Sequence, residues 1–291
     1  MARPPSKLVS NPMPTFRHEG HRLAYTIHGE GPRTFVLVHG LLLSQKMHGP
    51  LARALAARGH RVVTLDLLGH GRSDRPGDMT LYSMSFFGEQ MIAMLDHLEL
   101  DEAVLGGTSL GANATLEAAA HAPERVRGMV VEMPVLDNAL LAAAVAFTPL
   151  MIALTFGEPV MRALASAARR VPTGRGPWLA DVALDTIRQD PAPSAAVLHG
   201  LFFGRTAPHK NLRRQLRAPA LVIGHHRDPV HPFSDSGALA KELPNARLVE
   251  ASSILELRLT PERLTDEIAD FLDKCWKPRR RSGASRGRRV A

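Results

Sequence analysis

The sequence predicts an α/β protein with a mostly parallel central sheet flanked by helices, and three observations predict it. Short apolar runs alternate with helix-length segments along most of the chain, the rhythm of βαβ units. Runs such as TFVLVHG (34–40) are apolar throughout, which suits strands buried on both faces. The chain has 291 residues, 45% hydrophobic and 22% charged, enough for one such domain carrying an insertion.

Taken in order, HRLAYTIHGEG (21–31) reads as an N-terminal hairpin arm that turns at Gly29 to Pro32. After the strand at 34–40, a helix is expected at about Gln45 to Arg58, stopped by Gly59, with HRVVTLDLLG (60–69) as the next strand. Residues 80–100 have apolar side chains at helical spacing, and EAVLGGTS (102–109) is strand again. LGANATLEAAAHAPE (110–124) is rich in helix formers and ends near Pro123, before the strand VRGMVVEMP (126–134). From Val135 to Leu216 the segments read as helical, without a convincing strand. Within them LLAAAVAFTPLMIALTF (140–156) is nearly all apolar, but it falls short of a membrane span and Thr148–Pro149 interrupts it. A helical insertion over a cavity is the better account. Sheet rhythm resumes with APALVIGHH (218–226), a helix from Ser234, the strand ARLVEASS (246–253) and a last helix from Thr260 to Trp276.

The expected organisation is therefore an arm at 1–19, a core at 20–134 and 217–276, the helical insertion at 135–216 and a basic tail at 277–291. Seven of the eight net positive charges sit in that tail, on Lys277, Arg279, Arg280, Arg281, Arg286, Arg288 and Arg289. Such a Gly/Ser-containing basic run is expected to be disordered and solvated. No aromatic residue interleaves the arginines, so specific nucleic-acid binding is not implied. The single cysteine, Cys275, excludes an internal disulfide. The N-terminus has no apolar run of signal-peptide length, and a cytoplasmic protein without a transmembrane segment is expected.

The strongest chemical signal is Gly107-Thr108-Ser109-Leu110-Gly111. G-x-S-x-G places a serine on a tight strand-to-helix turn, with glycines where a side chain would strike neighbouring backbone. The helix start also directs N–H groups towards developing negative charge.

With its neighbours, this motif resembles the α/β-hydrolase fold family over residues 20 to 276. His39-Gly40-Leu41-Leu42 is similar to the family's HG loop, and Asp66 to Ser73 (DLLGHGRS) to its D-x-x-G-x-G-x-S loop. HHRDPVHP (225–232) looks like the acid loop G-x-x-D-x-x-x-P, with His225 in the glycine's place, and 135–216 lies where members carry a cap. The resemblance implies Ser109 as nucleophile, backbone N–H groups of Leu41 and Leu110 as oxyanion hole, and Asp228 as the acid that orients a histidine. It implies structural roles for His39, Asp66, His70 and Ser73, and no metal or organic cofactor. A haloalkane dehalogenase is disfavoured because that chemistry needs a carboxylate nucleophile.

One departure stands out. The family places its histidine after the last strand, and here that loop is SSILEL (252–257), a strand-to-helix connection with Ile254 or Leu255 near the expected position and Ile254, Leu255 and Leu257 able to pack inward. Three readings stay open. Another histidine serves as base, His231 first because it lies three residues past Asp228, then His225 and His226, with His48, His199 and His209 more remote. Alternatively the chain is a degenerate relative that binds an apolar ligand or a protein partner, with Phe147, Met151, Phe156, Met161, Phe202 and Phe203 enclosing a cavity; ordinary helix packing explains that set equally well. Least favoured is Glu256 as a general base, since Glu256 and Arg258 alternate like an exposed pair. HHRD with His231 is also too sparse for a metal site. The expected function is hydrolysis of an ester or similar small apolar acyl substrate through an acyl-serine. Substrate identity and oligomeric state are left open.

Overall fold

A computed structural model describes residues 13–174 and 176–277. The first twelve residues of the expected arm and nearly all of the basic tail, from position 278, lie outside the described residues.

Eight strands form one sheet: β1 (Thr15–His18), β2 (His21–His28), β3 (Thr34–Val38), β4 (Arg61–Leu65), β5 (Ala103–Thr108), β6 (Val126–Glu132), β7 (Ala220–His225) and β8 (Ala246–Ala251). Their spatial order is β1-β2-β4-β3-β5-β6-β7-β8. The N-terminal hairpin pairs antiparallel and β2 runs antiparallel to β4, while every later pairing is parallel. β3, β5 and β7 are buried along their whole length, as their unbroken apolar runs require. β8 is one of the two edge strands, with Arg247, Leu248 and Glu250 exposed.

Three helices follow within the first half: α1 (Gly49–Ala56), α2 (Met84–His97) and α3 (Leu110–His121). Between β6 and β7 lie α4 (Leu140–Phe156), α5 (Glu158–Arg169), α6 (Trp178–Ile187), α7 (Pro191–Phe202) and the short α8 (Lys210–Arg213). The chain closes with α9 (Phe233–Glu242), α10 (Glu256–Leu259) and α11 (Glu262–Cys275). Alternation along the strands sends side chains to two layers. Phe35, Leu37, Val104 and Val130 pack with Leu51 and Leu55 of α1 and Ile268 and Leu272 of α11. Val36, Val38, Leu105 and Val131 pack with α2 and α3 on the other face. The helix cap is visible locally too: Ser83 Oγ accepts the Phe86 N–H at the start of α2.

Some boundaries shift from the sequence reading. The segment expected as one helix from Gln45 begins as a 3₁₀ turn (Gln45–His48), and α1 starts at Gly49 with Pro50 in its first turn. The strand expected over 60–69 stops at Leu65, because Asp66 turns its carboxylate onto the backbone N–H groups of Gln45 and Arg72. α4 runs unbroken through Pro149, which was expected to interrupt it. Pro149 lies on the exposed side of that helix, away from its packed face. Among the described residues no single helix is long and apolar enough to cross a membrane.

The loops after β3 and β4 lock together through neutral imidazoles. His39 Nδ1 donates to Gly40 O (2.8 Å) while its Nε2 accepts from Leu67 N–H (3.1 Å), and its ring lies 4.7 Å from that of His70. Burial lowers the pKa of His39, and burial and the adjacent His39 push His70 well below the ordinary range. His48, buried at the N-terminus of α1, is lowered by burial and by the charge of Arg258 to about 3.

These groups are neutral in the fold and titrate at about 6.5 once exposed. Their contribution to stability is therefore complete above about pH 6.5 and lost as pH falls towards the folded values. The melting temperature is expected to drop steadily between pH 6.5 and 4.5, each histidine adding up to about 1.4 kcal/mol per pH unit. A melting temperature that stays flat over that range contradicts this account.

Candidate active site

β5 ends at Thr108 and α3 begins at Leu110, so Ser109 occupies the turn between them with φ 55° and ψ −109°. Positive φ is unfavourable for a side-chain-bearing residue and needs support from its surroundings. The support is close packing on both sides. A Cβ on Gly111 would lie 2.3 Å from Val38 O, and one on Gly107 would lie 2.6 Å from the same oxygen. Ser109 N–H donates to Glu132 O (2.9 Å), tying the turn to β6. Leu110 is the first residue of α3, so its N–H is among those a helix leaves without an internal acceptor. Leu41 follows β3 and borders the same cavity as Ser109 and Leu110. Leu42 beside it also has positive φ, 58°.

Opposite the serine lies the loop after β7. Ser109 Oγ is 2.8 Å from His231 Nε2, and His231 Nδ1 is 2.9 Å from Asp228 Oδ2. Asp228 Oδ1 accepts the N–H groups of Val230 (2.8 Å) and His231 (2.9 Å). One carboxylate thus folds its own loop and orients the ring three residues later. Burial would raise the Asp228 pKa, but the hydrogen bonds from the His231 ring and from the two backbone N–H groups outweigh it and hold it below the usual range. An ionised carboxylate only accepts, so the imidazole proton belongs on Nδ1 and Nε2 is left to accept from Ser109.

The other histidines are placed elsewhere. His225 is buried with Nε2 3.8 Å from Glu132 Oε1, and His226 points outward with Nε2 3.1 Å from Glu250 Oε1. His48 Nε2 contacts Val38 O at 3.0 Å, and His209 caps α8 by accepting from Asn211 N–H. The rings of HHRD and His231 therefore diverge, and among the described residues no group of three or more His, Cys, Asp or Glu side chains is arranged to hold a metal ion.

SSILEL differs from its sequence reading. Ser252 to Leu255 form a turn that leads into α10, and of the three apolar residues only Leu257 packs inward, while Ile254 and Leu255 are exposed. Glu256 and Arg258, expected as an exposed pair, are both buried. Burial would raise the Glu256 pKa, but hydrogen bonds from Arg263 and from Ser252 hold it at about 2, so it is a structural anion and a poor base. Arg258 reaches under the serine turn, 2.8 Å from Glu132 Oε2 and 3.0 Å from Thr108 Oγ1, and Thr108 Oγ1 in turn donates to Glu132. Burial would raise the Glu132 pKa too, but Arg258 overrides it and keeps the carboxylate charged.

Sequence reading missed Glu132, although an acid at the end of an apolar strand was a signal. It also missed Asn113 and Asp235, which hold the segment leading into α4. Asn113 Nδ2 donates to Val135 O and Thr206 O, gripping both ends of the helical block. Asp235 accepts from the N–H groups of Leu136, Asn138 and Ala139.

A cavity of about 350 Å³ opens beside Ser109, and its fourteen lining residues include no charged side chain. Of the six apolar residues expected around a cavity, Phe147 and Phe202 line it, and Met151 and Met161 pack against the core. Phe156 and Phe203 do not enclose it; they are 82% and 75% exposed, because they sit at helix ends that face outward. Two larger surface clefts are bordered by charged residues such as Arg33 and Asp273, or Lys210 and Lys241, and neither is lined by Ser109, Asp228 or His231.

Comparison with known proteins bears on this arrangement. A family model described as alpha/beta hydrolase fold matches residues 33–253. The chain belongs to the α/β-hydrolase fold family. It is 29% identical over 255 residues to a pyrethroid hydrolase of Sphingobium wenxiniae, covering 82% of this chain and 87% of that protein. Identity is higher, 38% over 129 residues, to the dihydrolipoyllysine-residue acetyltransferase component of an acetoin cleaving system of Pseudomonas putida, but that match covers 42% of this chain and 32% of the relative. The chain likewise spans 34% of the length of a 2-hydroxymuconate semialdehyde hydrolase of Pseudomonas. Among solved structures, the enol-lactonase of Burkholderia xenovorans superposes with a TM-score of 0.71 at 24% identity, covering 89% of this chain and all of that one. A hydrolase of Pseudomonas aeruginosa gives 0.75 at 23%, covering 90% and 99%.

Removing one partner of a buried pair leaves an uncompensated charge. Arg258→Met is expected to cost about 3–5 kcal/mol, and the double variant Arg258→Met/Glu132→Gln to recover a large part of it. Equilibrium urea unfolding checks this, and equal stability of Arg258→Met and the unaltered chain would contradict a buried charged pair.

Proposed function

We propose that this chain hydrolyses an ester or a similar small apolar acyl substrate through Ser109, with His231 as base and Asp228 as the acid that orients it. The observation that carries the proposal is the chain of contacts from Ser109 Oγ to His231 Nε2 (2.8 Å) and from His231 Nδ1 to Asp228 Oδ2 (2.9 Å). As Ser109 Oγ attacks the acyl carbon, His231 Nε2 takes its proton, and the imidazolium that forms is stabilised by Asp228. Negative charge gathers on the carbonyl oxygen, where the N–H groups of Leu41 and Leu110 receive it. His231 then returns the proton to the leaving group. A water, deprotonated by the same nitrogen, cleaves the acyl-serine and regenerates the hydroxyl.

The uncharged cavity supports an apolar acyl group as the part of the substrate that is held. We read residues 135–216 as a cap over it, since α4 and α7 supply Leu140, Phe147, Leu198 and Phe202 to its wall. The names of the relatives, hydrolases of pyrethroids and of a semialdehyde, are compatible with this substrate class.

A fluorophosphonate probe is expected to label Ser109, and short-chain aryl esters to be turned over. Ser109→Ala abolishes both, and Asp228→Asn lowers kcat by about 10³–10⁴ at unchanged fold. Absence of labelling between pH 6 and 9 would instead mark a relative that binds an apolar ligand without cleaving it.

A further inference from the structure

We infer that the outer face of α4 and the start of α5 docks on an anionic lipid surface, from which an apolar acyl substrate enters the cavity beside Ser109. The entry step rests on the proposed hydrolase reading; the docking does not.

α4 contains no charged residue in its seventeen positions, and only Leu154 is buried. Leu141, Val145, Pro149, Ile152 and Phe156 recur at intervals of three and four, so they form one stripe, and all are exposed. After a bend of 94° into α5 the surface continues with Val160 and Leu164, also exposed. Exposed apolar surface on this scale, uninterrupted by a charge along a whole helix, costs free energy in water and marks a contact site.

What covers it is indicated by three features. The patch runs into the cavity, because Leu140 and Phe202 both line it and remain 46% and 45% exposed at its mouth. An apolar compound could therefore pass from the covering phase to Ser109 without crossing water. α5, which continues the patch, and the residue that follows it carry Arg162, Arg169 and Arg170, all exposed, against the single acid Glu158. That excess attracts anionic headgroups, and it opposes face-to-face association of two copies. Finally, α4 is about 25 Å long at 1.5 Å per residue and too short to span hydrocarbon about 30 Å thick, which suits a helix lying in the interface.

Sedimentation with vesicles decides the matter. The unaltered full chain is expected to bind vesicles of mixed phosphatidylcholine and phosphatidylglycerol, to bind pure phosphatidylcholine less, and to lose binding as salt rises. Val145→Asp/Ile152→Asp/Phe156→Asp, at three positions that do not line the cavity, is expected to lose binding at least tenfold. That variant should keep its far-ultraviolet circular dichroism and its rate on a water-soluble short-chain ester. No binding by the unaltered chain, or equal binding by the variant, overturns the inference. A dimer in light scattering that the triple variant converts to monomer overturns it too, and assigns the face to a second copy. If soluble esters are not turned over at all, the hydrolase reading fails while the vesicle result still stands on its own.

Discussion

The turn at Ser109 is the constraint on which the site depends. Its positive φ stores strain that persists only because the surroundings over-determine it. Gly107 and Gly111 let β3 and α3 close to a distance no side chain permits, and Glu132 O holds the Ser109 N–H from the neighbouring strand. Beneath the turn, the Glu132 carboxylate, the Thr108 hydroxyl and the Arg258 guanidinium form a buried charged cluster. Arg258 comes from the segment just after SSILEL. The region that lacks a histidine therefore supplies a cation that braces the serine turn from below.

A histidine three residues past the acid, and not in that segment, changes how the ring is held. In the arrangement that the family resemblance implies, acid and histidine sit on separate loops and the sheet must hold them in register. Here Asp228 binds the N–H groups of Val230 and His231 with one oxygen and the His231 ring with the other. The spacing of three residues makes the acid–imidazole contact a local property of one turn. Only the approach of that turn to Ser109 depends on tertiary structure. Pro229 between the two residues and Pro232 directly after them restrict the backbone, which limits the conformations the loop loses on folding.

Much of the fold was legible because buried parallel strands are mostly apolar, and β3, β5 and β7 depart from that only at Thr34, Thr108 and His225, each at a strand end. The serine turn was legible because glycine spacing and a strand-to-helix switch coincide there. Glu132 and Arg258 were not, since a charge on an apolar strand and one beyond a turn reveal nothing about each other until the sheet brings them together. The outward placement of Ile254, Leu255, Phe156 and Phe203 escaped notice for a related reason: hydrophobicity predicts burial on average, and a short turn or a helix end follows backbone direction instead. α4 illustrates the limit, because a helix apolar on every side carries no periodic signal of which face is packed.

The account turns on His231 Nε2 being the group that takes the Ser109 proton. Replacing His231 with Gly leaves a space that free imidazole can enter, so burst kinetics with an aryl ester, with and without added imidazole, test this most directly. The account predicts that His231→Gly loses the acylation burst, that imidazole restores it in proportion to concentration, and that Ser109→Ala gains nothing from imidazole. A burst of unaltered rate in His231→Gly without imidazole would contradict it and assign the proton to another group.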